Sequence, residues 1–104
     1  MTFNDSLVVG KSIKNPDKIK NIFNEKKPVF KGSLVCNNNG RLEIYSTLQF
    51  MQKNLLDLDL DVIAMFKEED ESFEFIRTLC DISVREFGEV DLLKALPFYK
   101  AEVT

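Results

Sequence analysis

Residues 29–51 read VFKGSLVCNNNGRLEIYSTLQFM, and the reading of this stretch decides the fold. Residues 29–36 are β-prone, Asn37-Asn38-Asn39-Gly40 is a strong turn signal, and residues 41–51 alternate. Asn and Gly tolerate positive φ, so Asn39-Gly40 suits the centre of a tight hairpin turn. The expectation is a long antiparallel hairpin over about 29–51. Its second strand places Leu42, Ile44, Leu48 and Phe50 on one face, with Ser46 interrupting them. Glu43, Tyr45, Thr47 and Gln49 share the other, which reads as solvated and leaves Tyr45 exposed.

Upstream, SLVVG at 6–10 is a short β-prone run ended by Gly10, suited to an edge strand. KNPDKIKNIFNEKKP at 14–28 then carries the marks of a helix start. Asn15 fits the N-cap, Pro16 the first helical position and Asp17 the positive end of the helix dipole. Ile19, Ile22 and Phe23 are spaced i, i+3, i+4, which predicts one apolar stripe on a helix over about 16–26 that ends before Pro28.

Downstream of a link at 52–54, LLDLDLDVIAMFK at 55–67 sets Leu58, Leu60, Val62, Ala64 and Phe66 on one side of a strand. Asp57, Asp59 and Asp61 fall on the other side until Ile63 and Met65 make both faces apolar. An inner strand entering its sheet from a solvated end has this pattern. A helix over 60–67 is the rival, and the period of two over nine residues favours the strand. Beyond it, KEEDES at 67–72 reads as a turn and 72–80 is mostly helical in spacing. Ile82, Val84 and Glu86 alternate as a short strand would, and Gly88 breaks the run. Residues 91–96 suit a short helix stopped by Pro97, with 98–103 returning as a strand or packing loosely. The fold class is therefore α+β: a mainly antiparallel sheet around a central hairpin, an N-terminal helix and one or two short C-terminal helices, in one domain over 1–104.

The total charge of −3 conceals an uneven layout. Residues 1–56 carry nine Lys/Arg against four Asp/Glu, and residues 57–104 five against thirteen, so a half near +5 adjoins a half near −8. Such asymmetry bears on the choice of partner, not on fold or reaction. The acids concentrate in Asp57, Asp59, Asp61, Glu68, Glu69, Asp70, Glu71 and Glu74, with Lys67 as the one base among them. Asp57, Asp59, Asp61 and Glu68 fall at positions 1, 3, 5 and 12 of an EF-hand calcium loop. Val62 stands where that loop needs Gly, and Ile63-Ala64-Met65-Phe66 is too apolar for it. The plain reading is a solvated strand face followed by a solvated acidic segment, and no metal ligand set is assigned.

The chain has no His, which removes the commonest general base and zinc ligand at neutral pH. Its four Gly form no phosphate-binding loop, and its two cysteines, Cys36 and Cys80, read as reduced, mostly buried thiols. No catalytic residue and no cofactor is assigned. No run approaches the ~20 apolar residues that cross a bilayer, and the first residues lack signal-peptide character, so the expectation is a cytoplasmic protein off the membrane. The scattered lysines, among them Lys18, Lys20, Lys27 and Lys31, accompany no nucleic-acid motif, and direct nucleic-acid binding is disfavoured. Most of the nine Phe read as core. Tyr45 and Tyr99 join the eight acids as interaction candidates.

The function expected is that of a small intracellular protein-binding or regulatory protein acting through a charged surface, without catalysis. A basic protein fits the acidic segment as a partner. The alternatives are a structural homodimer pairing basic with acidic faces, an acidic inhibitor of a nucleic-acid-binding cleft, a direct nucleic-acid binder and a carboxylate-based enzyme.

Overall fold

The structure, a computed structural model, describes residues 2–11, 13–24, 31–46, 49 and 59–103. Its elements in chain order are β1 (Thr2–Val9), α1 (Pro16–Asn24), β2 (Ser33–Asn38), β3 (Arg41–Ser46), β4 (Asp61–Phe66), α2 (Glu69–Phe87) and α3 (Leu92–Val103). The strands form one sheet in the order β1-β4-β2-β3. β4 pairs parallel with β1 and antiparallel with β2, and β2 pairs antiparallel with β3. The fold is α+β with a mainly antiparallel sheet, and β1 is an edge strand, both as expected. The chain divides into two compact units, Met1–Ser72 and Phe73–Thr104.

The first unit is built on β4. Val62, Ile63, Ala64, Met65 and Phe66 are all buried, as an inner strand with apolar residues on both faces requires. Leu34, Cys36, Leu60, Val62 and Met65 form a core cluster, and Phe3, Leu7, Ile13, Ile19 and Tyr45 pack against it. Val35 and Ala64, paired across β2 and β4, are fully buried as well. The strand expected at 58–66 thus forms at Asp61–Phe66, and the rival helix does not. Leu60 stays buried just outside it.

Two irregularities shape the sheet. Val35 pairs with Ala64 and Cys36 with Val62, so Ile63 is an extra residue on β4. On β1, Phe3 pairs with Val62 and Val8 with Ala64, an advance of five residues against two.

The hairpin turns where expected, with Asn39 at φ 53° and Gly40 at φ 91°. That places both turn residues in the left-handed region, as a type I′ turn demands. Asn37 Oδ1 accepts the Gly40 N–H at 2.8 Å and fixes the turn. The strands are shorter than 29–51. β3 ends at Ser46, whose N–H donates to Gln49 Oε1 at 2.7 Å while the Gln49 N–H donates to Ser46 Oγ at 3.2 Å. This reciprocal pair is a capping box, which turns the chain out of the strand. Residues 29–30, 47–48 and 50–51 lie outside the described residues. The solvated face also needs correction: Leu42 to Ser46 are all half-buried, and Tyr45 sits opposite Leu34 against the core.

α1 starts as its sequence dictates. Asn15 Oδ1 accepts the Lys18 N–H at 3.2 Å, and the Asn15 carbonyl accepts the Ile19 N–H at 3.4 Å. Ile19 reaches the core, and Lys20 lies over the Phe3 ring at 5.9 Å. Residues 25–26 and the side chains of Ile22 and Phe23 lie outside the described set.

The C-terminal expectations need the largest corrections. α2 is one helix of 19 residues, where a turn at 67–72 and a strand at 82–86 were expected. Phe75, Leu79, Ile82 and Ser83 are all buried, and their three-and-four spacing makes one helical face that outweighs the alternation of Ile82, Val84 and Glu86. Gly88, at φ 70°, ends the helix by donating its N–H to the Val84 carbonyl at 2.9 Å.

Ser83 then ties the link to the next helix, its Oγ donating to the Glu89 carbonyl at 2.6 Å and accepting the Asp91 N–H at 2.5 Å. Asp91 caps α3 by accepting the Lys94 N–H at 3.2 Å. α3 passes through Pro97 instead of stopping there, so the expected end at 96 and the strand at 98–103 are both wrong. The missing N–H forfeits one helical bond. Ring contacts beyond Pro97 favour continuation: Phe75 meets Tyr99 edge-on at 4.8 Å, and Phe87 meets Phe98 edge-on at 5.5 Å. Among the described residues no helix is long and apolar enough to cross a membrane.

Gly10 gives a test of packing in the first unit. Its N–H donates to the Met65 carbonyl at 2.8 Å, and a Cβ there would stand 2.9 Å from Phe66 Cδ1 and 3.1 Å from Glu71 Oε2. Phe66 is buried and has little room to move. Gly10→Ala is expected to destabilise the protein by about 1–3 kcal/mol, read from the urea midpoint.

Candidate interaction surface in the acidic segment

The acids of 59–74 separate into those that hold the fold together and those that face water. Asp61 opens β4 and belongs to the first group. Its carboxylate accepts Asn4 Nδ2 at 3.1 Å and Thr2 Oγ1 at 3.4 Å, tying the edge strand to the inner one. Glu71 belongs there too. Its Oε1 accepts the Glu68 N–H at 3.2 Å, one half of a capping arrangement at the start of α2. One residue on, Ser72 is buried and donates from Oγ to Ser33 Oγ at 2.7 Å, fastening that first turn to β2. Glu74 lies 3.8 Å from Arg77 one turn along the helix, with both side chains mostly in water.

Asp59, Glu68, Glu69 and Asp70 remain. All four are exposed, and no ion pair holds any of their side chains among the described residues. Glu69 and Asp70 occupy the first turn of α2, where the helix dipole favours negative charge. Asp57 lies outside the described residues. Among the described residues no three His, Cys, Asp or Glu side chains gather as metal ligands would. The EF-hand spacing has a further obstacle, since Val62 at its bend position lies in an extended strand.

The two tyrosines are partly spent inside the protein. Tyr45, expected in water, is half-buried; burial and a hydrogen bond with Glu43 push its phenol above the ordinary range. Glu43 is held below the usual carboxylate range, first by its hydrogen bond from Asn38 Nδ2 at 2.7 Å and then by Tyr45. Tyr99 is half-buried against Phe75, and burial raises its phenol as well. Cys36 has no exposed surface, and burial, with Asp61 and Glu43 adding negative charge nearby, pushes its thiol up to about 12. Cys80 is half-buried and free.

Sequence reasoning missed a second surface. Phe73, Phe87 and Phe98 read as core but are 56%, 36% and 39% exposed, with Val84 at 54% and Val90 at 65%. The signal was present in the spacing of Phe73, Ile76, Cys80, Val84 and Phe87, legible only once 69–87 is read as one helix. Comparison with protein-family models, curated proteins and solved structures finds no match to this chain.

Cys36 and Cys80 provide the pH test. A thiol whose folded value is raised stabilises the fold below its unfolded value near 9, and that contribution is lost as pH climbs toward about 12. Native protein at pH 8 is expected to react with a thiol reagent at Cys80 alone, Cys36 reacting only after unfolding. Stability measured by urea is expected to fall above pH 9, less steeply in Cys36→Ala.

Proposed function

We propose that the protein is a small intracellular binding or regulatory protein that docks a basic protein partner through Glu68, Glu69 and Asp70, without catalysis. The observation that carries this reading is the division of labour within one acidic segment. Asp61, Glu71 and Glu74 have partners within the chain, whereas the consecutive carboxylates of Glu68, Glu69 and Asp70 are exposed and unpaired among the described residues. Glu68, Glu69 and Asp70 follow one another at the start of α2 and repel, and a cationic partner relieves that repulsion, whereas Asp59 stands at the opposite end of β4 and is left out of the contact.

The mechanism is electrostatic orientation. Exposed charge of one sign raises the encounter rate with a partner of the other sign, and screening removes most of that gain once the Debye length falls below the separation of the charges. Glu69 and Asp70 sit on a helix anchored by the Glu71 cap and by Ser72, so their backbone is fixed before a partner arrives. Preorganisation of that kind lowers the ordering cost of docking. Lys11, Lys14 and Lys18, exposed in the basic half, are left out of the contact.

Capture of partners from native cells at low and high salt tests the reading. A reproducible basic partner is expected at low salt, weakened at high salt, and reduced at least about tenfold by Glu68→Gln/Glu69→Gln/Asp70→Asn. Lys14→Glu/Lys18→Glu is expected to leave it bound. A partner indifferent to the acidic substitutions overturns the proposal.

A further inference from the structure

The exposed face of α2 has a symmetry that the acidic segment does not explain. Phe73, Ile76, Cys80, Val84 and Phe87 are separated by three, four, four and three residues, so the series reads the same in both directions from Cys80. At about 100° per residue these five positions fall within one narrow arc of the helix, over about 21 Å of its length. Phe73, Val84 and Phe87 are exposed and Ile76 and Cys80 half-exposed. The arc adjoins the buried line of Phe75, Leu79 and Ile82 without coinciding with it. α2 thus carries more apolar surface than its own unit covers, in a form that a monomer gains nothing from exposing.

We propose that this face pairs with the same face of a second copy of the chain, the two helices antiparallel across a two-fold axis beside Cys80. A two-fold contact is self-complementary by construction, and a palindromic stripe is what such a contact needs. Phe73 of each copy then meets Phe87 of the other, Ile76 meets Val84, and the two Cys80 side chains meet at the axis.

Charge supplies the second argument. Arg77 and Asp81 flank the stripe on one side, three residues before Cys80 and one after it. The two-fold operation brings Arg77 of one copy within one helical turn of Asp81 of the other, and does so twice. Among the described residues Arg77 has only a mostly exposed ion pair with Glu74, and Asp81 is exposed with no ion pair. A parallel two-fold pair would put the two Arg77/Asp81 flanks on opposite sides of the contact, and these charges would not meet. The far end is built up as well: Phe98 packs edge-on against Phe87, and Lys94 lies 5.6 Å over the same ring, which fixes the aromatic surface that receives Phe73. This contact is independent of the acidic docking surface at Glu68, Glu69 and Asp70, and a dimer would present that surface twice.

The test uses the full chain under reducing conditions. A short bis-maleimide is expected to give a covalent dimer through Cys80, unaffected by Cys36→Ser and abolished by Cys80→Ser. Sedimentation equilibrium is expected to show a dimer, with Val84→Glu raising its dissociation constant at least about thirtyfold while circular dichroism stays unchanged. Arg77→Asp is expected to weaken the dimer and Arg77→Asp/Asp81→Arg to recover part of the loss. A wild-type chain that is monomeric at high micromolar concentration overturns the proposal. So does a dimer that Val84→Glu leaves intact and Cys80 does not cross-link.

Discussion

Burial of β4 on both faces is the constraint on which the first unit depends. Five consecutive residues, Val62 to Phe66, are removed from water; β1 and β2 pair directly with their strand, and β3 joins the sheet through β2. Each large apolar side chain so buried is worth about 1.5–3 kcal/mol, so no rearrangement that exposes one face of β4 competes. β2 supplies Leu34, Val35 and Cys36 on one edge of this strand and β1 supplies a parallel partner on the other. The extra residue at Ile63 changes which residues share a face, which is how Val62 and Met65 come to lie in the same cluster. Asp61 marks where the buried stretch begins, and its hydrogen bonds to Asn4 and Thr2 make that polar end part of the sheet's closure.

The same economy governs the start of α2. A run of carboxylates there looks uniform in sequence, yet one member caps the helix, another pairs with Arg77 and the rest are exposed. Uniform residue type therefore hides separate roles, divided by position along the helix. Past the first turn the roles are divided around the helix, with Phe75, Leu79 and Ile82 buried and the Phe73-to-Phe87 series at the surface. One element thus carries both the charged surface assigned to a partner and the apolar surface assigned to a second copy.

Much of the sheet was legible in the sequence because its signals are local. Asn39-Gly40 specifies its turn through backbone freedom at two residues, Asn15-Pro16 specifies a helix start, and 61–66 declares an inner strand by apolar residues on both faces. The C-terminal third was not legible, because its deciding interactions are not local. Ser72 and Ser83 look like surface residues but are buried, with their hydroxyls satisfied by hydrogen bonds with Ser33 and with Glu89 and Asp91. With those two counted as polar, the helical face over 72–83 breaks up and the alternation of Ile82, Val84 and Glu86 prevails. Pro97 misled for a related reason, since the ring contacts of Phe98 and Tyr99 just beyond it outweigh one lost hydrogen bond. Within the candidate site, the eight acids were visible as a cluster, but which of them were free depended on partners such as Asn4 that lie far away in the chain.

Amide hydrogen exchange followed residue by residue tests the central place of β4 most directly. The amides of Val62 to Phe66 that bond into the sheet are expected to be the slowest in Met1–Ser72, exchanging only through global unfolding of that unit. The β1 and β3 amides are expected to exchange faster, through local opening at the sheet edges. Protection in β4 no greater than in those edge strands would contradict the account.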